Sequence, residues 1–203
     1  MKVGIIDYGL GNLKSVYAAF QASQSTPVVS KIPKELKSTD KLVLPGVGAF
    51  GDAMNRLKNQ GLDELIEEQA IELKKPILGI CLGFQLFFEK SNEFGTHEGL
   101  GYLDGALEKF NNKTLSVPHI GWNDCERTKE SSLLKNIEKE TLFYYVHSYY
   151  VKAKGCNEMV GSCNYGVDFV AAFQKENLYG VQFHPEKSQL GGLQLIKNFL
   201  AEK

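Results

Sequence analysis

The chain has 203 residues, with 23 Lys and Arg against 24 Asp and Glu, a formal net charge of −1 and a hydrophobic fraction of 43%. A chain of this length can bury a core without disulfide or metal staples, and we expect one domain over residues 1–203. The balanced charge offers no basic surface for nucleic acid or for an anionic membrane. No apolar stretch approaches the roughly 20 residues of a membrane-spanning helix. Neither a nucleic acid nor a membrane is therefore expected as a partner.

The first half of the chain alternates strand-like and helix-like segments. Strand patterns at 2–6, 27–30, 41–44 and 76–80 alternate with amphipathic helical patterns at 12–23, 52–73 and 83–90. This alternation predicts an α/β fold with a flavodoxin-like, open parallel sheet flanked by helices. After Gly95, short β-rich segments predict an additional antiparallel strand region in the C-terminal half, before a last helix at 192–200; these segments are 103–110, 113–117, 141–146, 149–153, 158–163, 168–174 and 178–183.

A cysteine lies at the end of the fourth predicted strand, in the segment Pro76-Ile-Leu-Gly-Ile-Cys81-Leu-Gly-Phe-Gln85. Glycines at 79 and 83 bracket Cys81, and a helical pattern begins at once. This is the pattern of a nucleophile elbow, whose central residue projects from a tight strand-to-helix turn. The helix N-terminus would favour the thiolate there. The segment alone leaves open a buried structural cysteine in an ordinary βα turn.

A candidate base and its orienting group follow the last predicted strand, at His184-Pro185-Glu186. Residues two apart in an extended chain point to the same side, so Glu186 can reach one ring nitrogen of His184. A cysteine nucleophile requires such a base and orienting group. Taken alone, the pair also fits a capping histidine and a solvated glutamate; together with Cys81, it favours catalysis.

The glycine-rich segment Pro45-Gly-Val-Gly-Ala-Phe-Gly51 contains a literal G-x-G-x-x-G after a strand. A dinucleotide fingerprint also wants an acidic residue about 20 positions on, at the end of the next strand. Those positions hold Glu67 and Glu68, inside a helical pattern. We therefore expect no nucleotide cofactor, and interpret the loop as backbone N–H groups that face an oxyanion.

The remaining histidines are less specific. His97 is expected in a surface loop, and His119 lies near Trp122 on a turn that fits either a core anchor or an interface hot spot. His147 is expected to end a strand with exposed polar atoms and to line a substrate pocket. None has metal-ligand spacing, so no metal is expected.

The four cysteines form no C-x-x-C pair, which favours reduced thiols in the cytoplasm. The N-terminal segment Met1-Lys-Val-Gly-Ile-Ile-Asp7 fits a first strand and lacks the cleavage pattern of a signal peptide. The sequence therefore predicts a cytoplasmic protein.

Together, Gly-x-Cys-x-Gly at 79–83, Pro-Gly-Val-Gly at 45–48 and His-Pro-Glu at 184–186 resemble the class I glutamine amidotransferases from end to end. The resemblance implies a glutaminase without a cofactor, in which Cys81 attacks glutamine, His184 is the base and Glu186 orients it. The resemblance implies that the oxyanion donors are Leu82, Val47 and Gly48. It implies that the residues that bind glutamine are Gly46, Gln85, Ser148 and Tyr149.

Finer motifs at 7–12, 117–123, 146–150 and 182–188 resemble those family members that act as subunits and pass ammonia to a (β/α)8-barrel synthase. In that case Trp122, Asn123 and Lys187 would meet the partner. Phe84, the segment 101–105 and Gln189 depart from the usual pattern and leave open a paralogue that feeds another synthase. A stand-alone cysteine hydrolase, and a non-enzymatic redox or binding module, also remain open. The redox or binding module leaves the His184–Glu186 pair unexplained.

Overall fold

The structure is a computed structural model that describes residues 1–110, 113 and 116–202. Its helices are α1 (Leu13–Ala22), α2 (Pro33–Lys37), α3 (Phe50–Asn59), α4 (Leu62–Ile66), α5 (Leu82–Gln85) and α6 (Gln189–Ala201). A π-helical turn, Glu67–Glu72, continues α4, and a 3-10 turn, Pro185–Lys187, precedes α6. The strands are β1 (Lys2–Ile6), β2 (Thr26–Ser30), β3 (Lys41–Leu44), β4 (Ile77–Ile80), β5 (Phe88–Ser91), β6 (His97–Glu98), β7 (Leu103–Lys109), β8 (His119–Asn123), β9 (Glu126–Arg127), β10 (Phe143–His147), β11 (Tyr149–Val151), β12 (Met159–Asn164), β13 (Asp168–Lys175) and β14 (Leu178–Val181).

An eight-stranded sheet, in the order β2-β1-β3-β4-β14-β13-β12-β9, forms the centre of the fold. Its first five strands are parallel, and β13, β12 and β9 continue it in antiparallel pairs. The predicted α/β class, with an antiparallel C-terminal region, is confirmed. Because β14 lies beside β4, with Val181 opposite Ile80, the residues that follow these two strands meet at one edge of the sheet.

Two smaller sheets stand beside this edge. Strands β8 and β10 form an antiparallel pair that places Trp122 opposite Tyr144 and His119 opposite His147. The other sheet has the order β11-β7-β5-β6. Strands β10 and β11 are separated by Ser148 alone, so this segment connects the two small sheets beside the central one.

Several predicted elements differ from the structure. The helix predicted at 83–90 ends at Gln85, because the apolar run through Phe87 and Phe88 turns into β5 and packs against the ring of Phe173. The helix predicted at 52–73 is interrupted at Gly61, whose φ of 64° is left-handed. The turn predicted around Trp122 is instead strand β8. The strand predicted at 113–117 lies partly outside the described residues.

The core lies on both faces of the central sheet. One apolar cluster packs α1 and α6 against the sheet, and the other packs α3 and α4 against the opposite face. No helix in the described part of the chain is long and apolar enough to cross a bilayer.

Candidate active site

Cys81 occupies a strained turn between β4 and α5. Its φ of 54° and ψ of −107° lie in a region that costs a residue with a side chain about 1–3 kcal/mol. A Cβ atom on Gly83 would lie 1.7 Å from the carbonyl oxygen of Leu44, so this glycine is required by close approach. Helix α5 has only four residues, which removes most of the helix-dipole support expected from the sequence. The elbow is therefore present, and its packing holds Cys81 in position.

His184 and Glu186 form a buried pair next to Cys81. The Nδ1 atom of His184 lies 2.8 Å from Oε1 of Glu186, and both side chains are almost fully buried. Burial lowers the pKa of His184, but the Cys81 sulfur and the Glu186 carboxylate outweigh it and raise that pKa to about 10. The Nε2 atom of His184 is buried and has no hydrogen-bond partner among the described residues. This arrangement leaves one ring nitrogen for a reacting group.

The local backbone of this pair differs from the expectation. Residues Pro185–Lys187 form a 3-10 turn rather than an extended chain, so the same-side rule for an extended strand is the wrong reason for the contact. His184 itself is extended, with φ −100° and ψ 95°. The turn that starts at Pro185 brings the Glu186 carboxylate back to the imidazole.

A cavity of about 260 Å3 opens in front of Cys81. This volume is below the roughly 300–1,000 Å3 of pockets for drug-sized ligands, and so suits a small substrate. Gly46, His184 and Glu186 lie outside the lining. The lining residues are Val47, Gly48, Cys81, Leu82, Gln85, Glu93, Pro118, Val146, His147, Ser148 and Tyr149.

The glycine loop at 46–48 packs directly on the elbow. The N–H of Leu82 donates to the carbonyl oxygen of Gly46 at 3.4 Å, so this expected oxyanion donor is engaged. The buried hydroxyl of Tyr8 donates to the Pro45 carbonyl at 2.8 Å, and a Cβ on Gly46 would lie 2.1 Å from that hydroxyl. Gly48 has a φ of 111°. In this arrangement of the loop, the Gly46 carbonyl occupies the N–H of Leu82.

The residues predicted for the partner interface lie at the β8–β10 sheet and the adjoining turn. Trp122 is 46% exposed, and its ring centroid lies 6.0 Å from that of Tyr144. The Nζ atom of Lys187 lies 5.5 Å from the same Tyr144 ring. Asn123 does not join this aromatic group, because its amide contacts Nε2 of His119 at 3.4 Å.

His147 is buried, and the prediction that its polar atoms are exposed is wrong. Its Nδ1 atom lies 2.9 Å from the carbonyl oxygen of Tyr149, and its Nε2 atom lies 3.1 Å from Nδ1 of His119. Burial lowers the pKa of His147 to about 3 and that of His119 to about 4, so both rings are neutral near pH 7. His97 is half-buried in β6 rather than in a surface loop.

Two polar residues at the site were not predicted from the sequence. Glu93 lines the cavity, and its Oε2 atom accepts the N–H of Phe50 at 2.7 Å. No local motif marks Glu93. Gln182 is fully buried, with Nε2 3.8 Å from the sulfur of Cys81. Its position two residues before His184 was the available signal.

Comparisons with known proteins agree with this geometry. The family described as "Glutamine amidotransferase class-I" matches residues 4–203. "Imidazole glycerol phosphate synthase subunit HisH 1" of Campylobacter jejuni (strain RM1221) is 48% identical over 98% of this chain and 98% of its own length. "Imidazole glycerol phosphate synthase subunit HisH" of Leptospira borgpetersenii is 42% identical over 97% of this chain and 98% of its own. The solved "Structure of PurLQS from Thermotoga maritima" matches in fold, with a TM-score of 0.76 at 19% identity over 98% of this chain and 97% of that one. The chain belongs to the class-I glutamine amidotransferase family.

Proposed function

We propose that this chain is the glutaminase subunit of an imidazole glycerol phosphate synthase, and that it supplies ammonia from glutamine for histidine biosynthesis. The observation that carries the proposal is the strained Cys81 in the lining of a small cavity, next to the buried His184–Glu186 pair. The names of relatives that are 42–48% identical over nearly the whole chain support the choice of synthase. We treat residues 1–203 as a single catalytic domain.

The proposed reaction begins with attack of the Cys81 sulfur on the side-chain carbonyl of glutamine. His184 holds the proton of the thiol and then gives it to the departing nitrogen, so that ammonia leaves and a γ-glutamyl thioester remains on Cys81. Water, activated by His184, then releases glutamate and restores the cysteine. Glu186 keeps the imidazole oriented and stabilises its charged form through the 2.8 Å contact.

The oxyanion donors require a change in the loop at 46–48. The N–H groups of Leu82 and of Val47 or Gly48 are the proposed donors, yet the Leu82 N–H is engaged with the Gly46 carbonyl. A rotation of the Gly46–Val47 peptide would move that carbonyl away and release the donor. Loss of one such donor typically costs about 2.7–4 kcal/mol of barrier. We therefore expect low activity from the isolated subunit, and activation when the partner holds the rotated loop.

The cavity supplies polar groups for the two ends of glutamine. Gln85, Ser148 and Tyr149 line the cavity, and Gly46 belongs to the glycine loop that packs on the elbow; all four are proposed to bind the glutamine. The Glu93 carboxylate offers an anionic partner for the α-ammonium group. These contacts would orient the carboxamide of glutamine toward Cys81.

The ammonia would be consumed by a (β/α)8-barrel cyclase subunit that makes imidazole glycerol phosphate and aminoimidazole carboxamide ribotide. Trp122, Asn123 and Lys187 are the proposed contact residues. Two of them, Trp122 and Lys187, lie against the Tyr144 ring, whose centroid is 6.5 Å from that of His184. We propose neither a nucleic-acid nor a membrane partner and no cofactor. A cytoplasmic location is proposed because all four cysteines are unpaired, as in a reducing compartment.

Ammonia release from glutamine, with and without a barrel cyclase subunit, tests this proposal. We expect strong stimulation by the partner, complete loss in Cys81→Ala, and retention in the matched control Cys156→Ala, whose thiol lies away from the cavity. Stimulation by the cyclase of another pathway instead would favour a paralogous glutaminase. Robust peptide cleavage without a partner would replace the proposal with a stand-alone hydrolase.

A second experiment tests the interface. Trp122→Ala should weaken partner binding at least tenfold in a titration, because large aromatic side chains dominate interface energetics. Ile32→Ala serves as the control, since Ile32 is similarly exposed but lies at the start of α2. Equal affinities of both variants would remove Trp122 from the interface.

A further inference from the structure

The Cys81 sulfur has a polar side chain next to it in addition to His184, the amide of Gln182. Among the described residues, Sγ makes two hydrogen-bond contacts, both at 3.8 Å: the carbonyl oxygen of Val146 and the Nε2 atom of Gln182. A carbonyl can only accept, so Val146 serves a protonated thiol. An amide N–H can only donate, and a thiolate accepts it more strongly than a thiol does, so Gln182 favours the thiolate, which is the reactive form of cysteine.

A chain of hydrogen bonds fixes the orientation of the Gln182 amide. The Tyr149 carbonyl is an acceptor, so the group of Gln85 that faces it at 3.0 Å must be its NH2. The same Nε2 atom of Gln85 lies 2.9 Å from Gln182, which must then present its oxygen. The NH2 of Gln182 is consequently turned toward Cys81. The opposite orientation would set two donors against each other in the interior.

The Tyr149 carbonyl is itself held in place. It also accepts from Nδ1 of the neutral His147 at 2.9 Å, so two buried side chains converge on one backbone oxygen. The orientation of the donor at Cys81 is thus set by groups that do not touch the sulfur.

Backbone hydrogen bonds hold Gln182 and His184 in the short segment that follows β14. Gln182 donates its N–H to Ala171 of β13 at 2.9 Å, and His184 donates its own to Tyr144 of β10 at 2.9 Å. The intervening Phe183 points the other way and stacks on Phe143 at 4.0 Å. Gln182 and His184 therefore reach Cys81 together from one short segment.

We propose that Gln182 is a catalytic residue that donates a hydrogen bond to the Cys81 thiolate and, through its oxygen, aligns Gln85 in the glutamine site. The proposal rests on the proposed function for the identity of the substrate. No bond to Gln182 forms or breaks. Its N–H stabilises the sulfur anion before attack, and again when the thiolate leaves the tetrahedral intermediate of thioester hydrolysis.

The charge state of Cys81 also depends on other groups around it. His184 approaches from the end of β14, and the buried Tyr8 hydroxyl lies close enough for the sulfur to raise the Tyr8 pKa further. His147 and Glu93 belong to the cavity wall. A neutral donor at 182 adds to these groups without adding a charge, so its removal should change the thiolate population while the triad is kept.

The test is the rate of Cys81 alkylation by iodoacetamide as a function of pH, which needs no turnover of glutamine. Gln182→Met keeps the volume and removes the donor. We expect its profile to shift to higher pH, with the rate near pH 7 about tenfold lower, a difference of about 1.4 kcal/mol. Gln69→Met is the matched control, because it removes another buried side-chain amide, in the π-helical turn Glu67–Glu72 and outside the lining of the Cys81 cavity. It should leave the alkylation profile at that of the wild type.

An unchanged alkylation profile in folded Gln182→Met would overturn the proposal. Absence of glutamine turnover by the wild-type protein with its partner, while Gln182→Met still shows the shifted profile, would count against the proposed function alone. If Gln182→Met fails to fold, the side-chain amide resonance of Gln182 in 15N-labelled wild-type protein gives the second measurement. That resonance should move with pH in step with Cys81 alkylation and stay fixed in Cys81→Ala. A resonance that does not respond to Cys81 would equally reject the assignment.

Discussion

The buried histidine pair predicts a loss of stability in mild acid. His119 and His147 share a hydrogen bond in the core, and burial lowers their pKa values to about 4 and about 3. In the unfolded chain a histidine titrates near pH 6.5. As the pH falls through 6.5, the unfolded chain takes up two protons that the folded chain does not. The contribution of the two neutral rings to the free energy of unfolding is therefore fully present above pH 6.5 and is lost as the pH falls toward 4.

The size of this loss follows from the unfolded pKa. On going from pH 8 to pH 5, each neutral histidine lowers the free energy of unfolding by 2.303RT times the 1.5 pH units between 6.5 and 5, or about 2 kcal/mol. The two together cost about 4 kcal/mol, a large share of a typical stability of about 5–15 kcal/mol. His184 acts in the opposite direction, because its raised pKa contributes stability that is complete below pH 6.5 and lost as the pH rises toward 10.

Urea unfolding at pH 8 and pH 5 measures the effect, with the change taken within each protein. His119→Gln removes one titrating ring and keeps an amide that can donate to His147. Its loss of unfolding free energy on going from pH 8 to pH 5 should be about 2 kcal/mol smaller than that of the wild type. His184 and the carboxylates contribute equally to both proteins and cancel. Equal losses in the two proteins would refute a neutral, buried pair.

Three further predictions concern the elbow, the substrate and the triad. Gly83→Ala should lower the free energy of unfolding by more than about 3 kcal/mol, because its Cβ would overlap the Leu44 carbonyl; a loss below about 1 kcal/mol in thermal unfolding would contradict the packing. Glu93→Gln should raise KM for glutamine at least tenfold with little change in kcat, and an unchanged KM would remove Glu93 from substrate binding. In steady-state ammonia release with the partner present, Glu186→Gln should weaken turnover less than His184→Ala does, since the imidazole remains. Negligible effects of both changes would exclude the pair from catalysis.

Local patterns predicted much of the fold and part of the site. The apolar runs of β1, β3 and β4, and the glycines around Cys81, are signals contained in a few neighbouring residues. The run after Cys81 failed as a predictor because a helix and a buried strand have similar apolar content over so short a stretch. The structure ends α5 after one turn and places Phe88 in β5.

The rest of the site depends on contacts between distant segments. Gln182 can contact Cys81 only because β14 lies beside β4. Gln85 can donate to the Tyr149 carbonyl only because β11 faces α5. No spacing in the sequence encodes that strand order. Glu93 likewise reaches the cavity only because its loop folds onto the start of α3, where the Phe50 N–H donates to its carboxylate. The hydrogen bond from the Leu82 N–H to the Gly46 carbonyl depends on the orientation of the Gly46–Val47 peptide, which residue types alone do not determine.

The central claim is that Cys81 forms a γ-glutamyl thioester with glutamine. Acid quenching of the partner-bound enzyme during turnover, followed by mass spectrometry of its peptides, tests it directly. The account predicts a mass increase of one γ-glutamyl group on the peptide that contains Cys81, and its disappearance when the glutamine is exhausted. Glutamine consumption with no adduct on any residue, or with the adduct on another residue, would contradict it.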